Sequence, residues 1–217
     1  MNFRSVLMMG ITVFLFPSCE GVFDDMYDEP RNEKNEAFGF VAVNGNKGTV
    51  YIDATSYSLW TYIDFHTKTI DTVSIGVGAE PKDWDIAVHR YDAKTNGGSV
   101  LQTNLVSLDD VNKISHVNEE HFVSDVWSEV VVDMSGMMDG NIIYSESYVN
   151  EVLSKWLDVN TATMPPVYTL SGKVYLIKLS DGTFAAVRLS NYMNDASVKG
   201  FMTIDYVYPL NLGKCQE

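Results

Sequence analysis

The stretch "KVYLIKLSDGTFAAVRLSNY" (residues 173–192) limits the possible folds more than any other. Two runs rich in β-branched and aromatic residues flank Ser180-Asp181-Gly182. Such runs read as strands, and Asp-Gly supplies the positive φ angles of a tight antiparallel reversal. "GFMTIDYVYPL" (200–210) then alternates Phe201, Thr203, Asp205 and Val207 with Met202, Ile204, Tyr206 and Tyr208, which makes a further long strand. Upstream, "FGFVAV", "TVYIDA", "LWTYIDF", "WDIAVHRYD" and "SEVVVDM" have the same chemistry. One segment has a helical period: in "SYVNEVLSKWLDV" (147–159), Tyr148, Val152 and Trp156 fall at i, i+4 and i+8. No internal repeat is present. The expectation is an all-β chain, with a single antiparallel domain over residues 38–217 and a short helix.

The N-terminus is built differently. "MNFRSVLMMGITVFLFPSC" pairs Arg4 with an apolar run from Val6 to Phe16 that is too short to span a bilayer. It reads as a signal peptide over residues 1–18. Cys19, directly after Ser18, stands where a lipoprotein is cut and acylated. The alternative is an ordinary secreted protein, in which Cys19 only ends a degenerate cleavage region. Residues 19–37 are acidic and poor in aliphatics, and they read as a flexible tether. Removing 18 of the 217 residues leaves 199, with 14 basic against 29 acidic side chains. So acidic a protein repels phosphate backbones, which excludes nucleic acid as a partner. It is also repelled by anionic lipid, so a membrane hold has to come from the lipid anchor. Cys19 and Cys215 are the only cysteines, so acylation of Cys19 leaves no disulfide and an ordinary core must carry the stability.

Motifs for catalysis are missing. The chain has no Gly-rich phosphate loop, no G-x-S-x-G, no H-E-x-x-H and no C-x-x-C, and it reads as a non-enzyme. Asp83 and Asp85 flank Trp84 at alternate positions and could share a face for acid/base work. Their commoner use is capping a turn or meeting an arginine such as Arg90. His89 alternates with Ala87 and Tyr91 in a strand and reads as structural. His116 and His121 are five apart, a spacing that suits neither a helical face nor a strand face. A zinc site there would need Glu119 or Glu120 as well. His66 lies in "IDFHTKTI" with no motif around it.

The methionines stand out. Met202 and Met193 sit in or beside strands and read as core filler. Met134, Met137 and Met138 fall within five positions of "VVVDMSGMMDGNII", and Gly136 and Gly140 flank the second pair. Met164 precedes two prolines in "NTATMPPVY", where the chain is stiff and the pre-proline backbone extended. A thioether is a soft, neutral ligand that suits copper(I) or haem iron and not zinc, calcium or magnesium. The other reading is that both are greasy loops packed on the body.

"YIDATSYSLWTYIDFHTKTI" (51–70), "DWDIAVHRYDAKTNGG" (83–98) and "VYTLSGKVYLIKLSDGTFAAVRLSNYMNDASVKGFMTIDYVYPL" (167–210) resemble the HmuY family of haem-binding surface lipoproteins of Bacteroidetes. These blocks cover about 80 of the 199 residues, in the family's order. The acidic tether also resembles the export signals of Bacteroidetes surface lipoproteins. The resemblance implies a HmuY-like β domain that grips haem (iron protoporphyrin IX) between loops at one end. It implies haem capture outside the cell, with host haemoproteins as a source, and hand-over to a TonB-dependent outer-membrane haem receptor. The expected location is the outer membrane, lipid-anchored at the cell surface, with release as a further form. The family's founding member holds iron with two histidines, one in each of two loops. Neither corresponding loop here contains histidine. Each contains methionine, Met137 and Met138 in one and Met164 in the other, so the resemblance implies a methionine pair. On an extended segment only one of Met137 and Met138 would face the iron. Aromatic candidates for the porphyrin faces are Tyr144, Tyr148 and Tyr168, while Trp156 reads as core. The alternative is a surface glycan- or protein-binding lipoprotein of the same fold without haem.

Overall fold

The computed structural model describes residues 37–114 and 117–212. The leader, the tether up to residue 36, both cysteines and His116 lie outside the described residues. Fifteen strands follow one another in the described chain: β1 Gly39–Asn44, β2 Lys47–Asp53, β3 Leu59–Asp64, β4 Thr69–Ser74, β5 Ile86–His89, β6 Asp92–Thr95, β7 Ser99–Gln102, β8 Val123–Ser124, β9 Val126–Gly136, β10 Asn141–Val149, β11 Leu157–Asn160, β12 Val167–Leu170, β13 Tyr175–Lys178, β14 Phe184–Met193 and β15 Lys199–Val207. The larger sheet has the order β1-β2-β15-β14-β13-β7-β8, and the smaller β4-β3-β5-β6. Two further ladders, β9 with β10 and β11 with β12, have two strands each. The strand pairs are antiparallel, so the all-β expectation holds.

The core follows from the alternation. Met202, Ile204 and Tyr206 of β15 join Ile52 and Val187 of the same sheet to Ile63, Ile86 and Val88 of the smaller one. Two sheets that share one apolar seam make a sandwich. On the other face of the larger sheet, Val207, Leu176 and Ala186 are covered by Val111, which lies in the 3-10 helix Leu108–Lys113. The hairpin that opened the sequence reading closes with Lys178 opposite Phe184. Only Gly182 in its turn is left-handed, at φ 83°. Asp181 instead accepts hydrogen bonds on Oδ1 from the backbone N and Oγ1 of Thr183, at 2.9 and 2.7 Å.

Two local expectations need correction. The segment 147–159 is not one helix. Its first residues belong to β10, where Tyr148 pairs with Trp127. Only Leu153–Trp156 turns, as a 3-10 helix, and Leu157 already pairs with Leu170. Ladder pairing at both ends outweighs a helical period that rested on three residues. The run "WDIAVHRYD" is likewise not one strand. It reverses at Arg90, φ 53°, so that β5 and β6 form a hairpin with His89 opposite Asp92. No glycine or asparagine marks that turn. Tertiary contacts hold it: Arg90 Nη1 donates to Thr55 O at 2.6 Å, and its guanidinium lies 4.3 Å from the centre of the Tyr57 ring.

Candidate functional site

The two isolated ladders stand out as fingers, and they carry the sequence's candidate ligands. In the first, β9 and β10 are joined by the 3-10 turn Met137–Asp139. The flanking glycines are steric necessities. A Cβ on Gly136 would lie 2.5 Å from Asn141 O, and Gly140 takes φ 75° while its N–H donates to Met137 O at 3.0 Å. The methionines therefore sit on a tight helical turn and not on an extended segment. Met138 points outward at 69% exposure, and Met137 is half-buried. Met134 is half-buried one turn earlier, within β9.

In the second finger, β11 and β12 are joined by residues 161–166. Asn160 Oδ1 accepts from Ala162 N at 2.9 Å and starts that loop. Met164 stands in it at 62% exposure, before Pro165. Tyr168, lower on this finger, stacks on Tyr192 at 5.6 Å and 11°, with Lys199 Nζ 4.9 Å from its ring. Tyr144 is exposed on the first finger, and so is Tyr148, which meets Trp127 edge to face at 4.8 Å. Trp156 is fully buried in the main core, as expected of a packing residue.

The roots of the fingers meet at Asn150, a residue with no signal in the sequence. It is fully buried. Its Nδ2 donates to Val123 O and to Asp125 Oδ1, both at 2.9 Å, and its Oδ1 accepts from Leu153 N at 2.9 Å. Its own N–H donates to Ala93 O at 2.7 Å. One side chain thus ties the end of β10 to the 3-10 turn that leads into β11. The first finger is held on the body by Val130 and Val149, which pack with Trp60, Tyr62 and Trp84.

Charge near the first root is enclosed. Lys94 lies 4.4 Å from the Trp60 ring centre and 2.5 Å from Glu80 Oε1. Burial pulls its pKa down against the pull of Glu80. Burial also holds Asp125 above the usual carboxylate range, although Thr95 N, Thr95 Oγ1 and Asn150 donate to it. Glu80, Lys94, Thr95 and Asp125, with Tyr148, line a cavity of about 420 Å³. Another of about 400 Å³, between β1, β2 and Asp109, includes no finger residue.

The remaining candidates separate. Asp83 is exposed while Asp85 is buried, so they share no face. Asp85 Oδ2 accepts from Phe65 N at 2.7 Å and faces His66 Nδ1 at 3.2 Å. Asp64, His66 and Asp85 form the one group among the described residues with the spacing for a metal ion. Asp64 is already engaged there by His66 N, Thr67 N and Thr67 Oγ1. His89 is structural, with Nε2 2.7 Å from Tyr57 O. His121 lies exposed in the 3-10 turn Glu119–His121, and Glu119 is taken by Lys178 at 2.5 Å.

Fold and site define a class: an antiparallel β-sandwich that projects two hairpins with methionine at their tips. A family model for the HmuY protein matches residues 56–206, and the chain belongs to that family. A candidate HmuY-like heme binding protein from Bacteroides vulgatus is 55% identical, covers 81% of this chain and all of its own, and superposes with a TM-score of 0.76. A candidate lipoprotein from Bacteroides fragilis is 45% identical over 84% of this chain and all of its own, with a TM-score of 0.77. The apo HmuY analog of Tannerella forsythia is 24% identical over 79% of this chain and all of its own, and its TM-score of 0.65 shows the same fold. None of the curated proteins matches the chain.

Proposed function

We propose that the protein binds haem between its two fingers, and that thioether sulfur of Met164 and of Met137 or Met138 would hold its iron. The observation that carries this reading is where the exposed apolar side chains fall. Of the large apolar side chains more than half exposed among the described residues, Trp127, Met138, Ile143, Tyr144, Tyr148, Met164 and Val167 lie on the two fingers, while Val41, Val43, Val77 and Val106 lie singly or in pairs elsewhere. Soluble proteins seldom leave such side chains uncovered together unless something docks there. The Bacteroides vulgatus relative's description as a candidate heme binding protein points the same way.

The donor set fits the group. Met137 and Met138 offer soft sulfur on one finger and Met164 on the other, and no histidine among the described residues lies on either tip. Met138, by its outward direction, is the better placed of the first pair. When bound, the iron supplies reversible one-electron chemistry, and thioether ligation favours its ferrous state. The protein's own part is to bury the porphyrin faces against Ile143, Tyr144 and Val167, at roughly 25 cal/mol per Å². Binding without turnover is the role. The mature chain is held at the outer membrane by acyl groups on Cys19, faces the outside, and passes haem to a TonB-dependent receptor. Host haemoproteins are its source, and a released form can collect haem at a distance.

Adding haem to the mature protein tests the reading. The expected result is a shifted Soret band with a low-spin spectrum on reduction. Met164→Ala should weaken the reduced complex, and Met137→Ala compared with Met138→Ala identifies the partner ligand. A protein that leaves the haem spectrum unchanged, or a Met164→Ala variant that equals wild type, overturns the assignment.

A further inference from the structure

The outer face of the first finger carries a pattern of which the proposed haem site uses Tyr144 alone. Pairing sets Trp127 opposite Tyr148, Glu129 opposite Glu146 and Val131 opposite Tyr144. The period of two puts all six on one face. Val130, Ser147 and Val149 alternate with them and are buried, so the six lie on the finger's open face, where Tyr148 at the root also borders the cavity beside Lys94. Trp127, Tyr148 and Tyr144 are 59, 55 and 51% exposed. Glu129 and Glu146 are exposed as well. Among the described residues, Lys47, Lys94, Lys113 and Lys178 pair with other acids, and no cation meets these two.

Like charges directly opposed across a ladder are destabilising. Here two of them sit between an aromatic pair and a third exposed ring. A cation relieves the repulsion and also gains from the ring faces. Among biological cations the guanidinium fits best, because it is planar, bonds carboxylates in a bidentate way and stacks on aromatic rings. We propose that this face docks an arginine-bearing segment of a protein partner. Charge complementarity favours that occupant, since the whole chain carries a formal charge of −14. Haem propionates are carboxylates and would be repelled by Glu129 and Glu146. A neutral sugar leaves the repulsion in place. The proposal stands independently of haem ligation at the tips.

Tryptophan fluorescence reads this face selectively, because Trp60, Trp84 and Trp156 are 3, 7 and 0% exposed. The probe is a capped peptide, Gly-Arg-Gly-Arg-Gly-Arg-Gly, titrated at low salt against acrylamide quenching of the mature protein. Saturable protection of Trp127 is expected, weaker by about tenfold in the Glu129→Gln/Glu146→Gln double variant and weaker for the lysine counterpart. The double variant should also melt at or above the wild-type temperature, since it loses only repulsion. No protection, equal protection by the lysine peptide, or equal binding by the double variant overturns the proposal, as does a lowered melting temperature. A Soret titration of the same variant separates the two readings. Haem spectra that match wild type while peptide binding is lost assign the face to the partner, and an altered haem spectrum would assign it to haem.

Discussion

Asn150 uses both ends of its amide, and its three side-chain bonds reach Val123, Asp125 and Leu153. Replacing it by leucine leaves the buried Leu153 N without its partner and removes a donor from Val123 O and from Asp125. Each orphaned buried group costs about 1–3 kcal/mol, so urea unfolding of Asn150→Leu should show a loss of about 3 kcal/mol. Nothing in "YVNEVL" announces this, because a polar residue's distant partners leave no local trace. His66 gives a second test. Burial lowers its pKa, but Asp181 at Nε2 (3.0 Å) and Asp85 at Nδ1 (3.2 Å) more than offset that, and the net shift is upward. The folded state therefore binds the proton more tightly than the unfolded chain does. The stabilisation is complete below the unfolded value of about 6.5 and disappears as pH rises through the folded one. The melting-temperature gap between wild type and His66→Gln should be widest near pH 5.5 and close by pH 8.5. A gap that does not change with pH would count against the ion pairs.

At the scale of elements, the strands legible in advance were those whose alternation or aliphatic content reports burial. β13, β14 and β15 were of this kind, and so were β2 and β3. The edge strand β4, "TIDTVS", was not, because only Ile70 and Val73 are half-buried, three positions apart, and the rest are exposed, so no alternation marks it. The stretch after Ser147 misled because Tyr148, Val152 and Trp156 have three different surroundings: solvent, the rim of the core and its centre. Of the candidate site, the two methionine loops were readable from composition and punctuation. The tight turn under Met137 and Met138, and the shared root at Asn150, depend on pairing across the chain and were not. Gly136→Ala tests the turn, since the added carbon would meet Asn141 O at 2.5 Å. It should weaken haem binding about tenfold, or 1.4 kcal/mol, while the urea midpoint, set by the sandwich, stays near wild type. Spectral titration and unfolding on the same sample separate the two effects.

At the scale of the whole molecule, the proposed thioether donors would set how conditions govern bound haem. Thioethers have no proton to gain, whereas an imidazole pair begins to protonate near pH 6.5. Haem retention measured from the Soret band should therefore persist at pH 5.5. It should be tighter in dithionite than in air, because sulfur ligation favours ferrous iron. A loss of haem at pH 5.5, or equal affinity in both redox states, would argue for other ligands. The acidic surface bears on the same traffic, since two copies of so negative a chain repel each other and a partner with a basic patch, as proposed above, would be drawn to each.

A ladder of only two strands barely holds together by itself in water. β9–β10 and β11–β12 are such ladders, while β13, β14 and β15 lie inside a seven-stranded sheet. The empty protein should thus breathe at its fingers and stay still at its palm, with finger amides trading deuterium well before those of the large sheet. A guest clasped between the tips would slow both hairpins together, because a single asparagine anchors the two of them at the wrist.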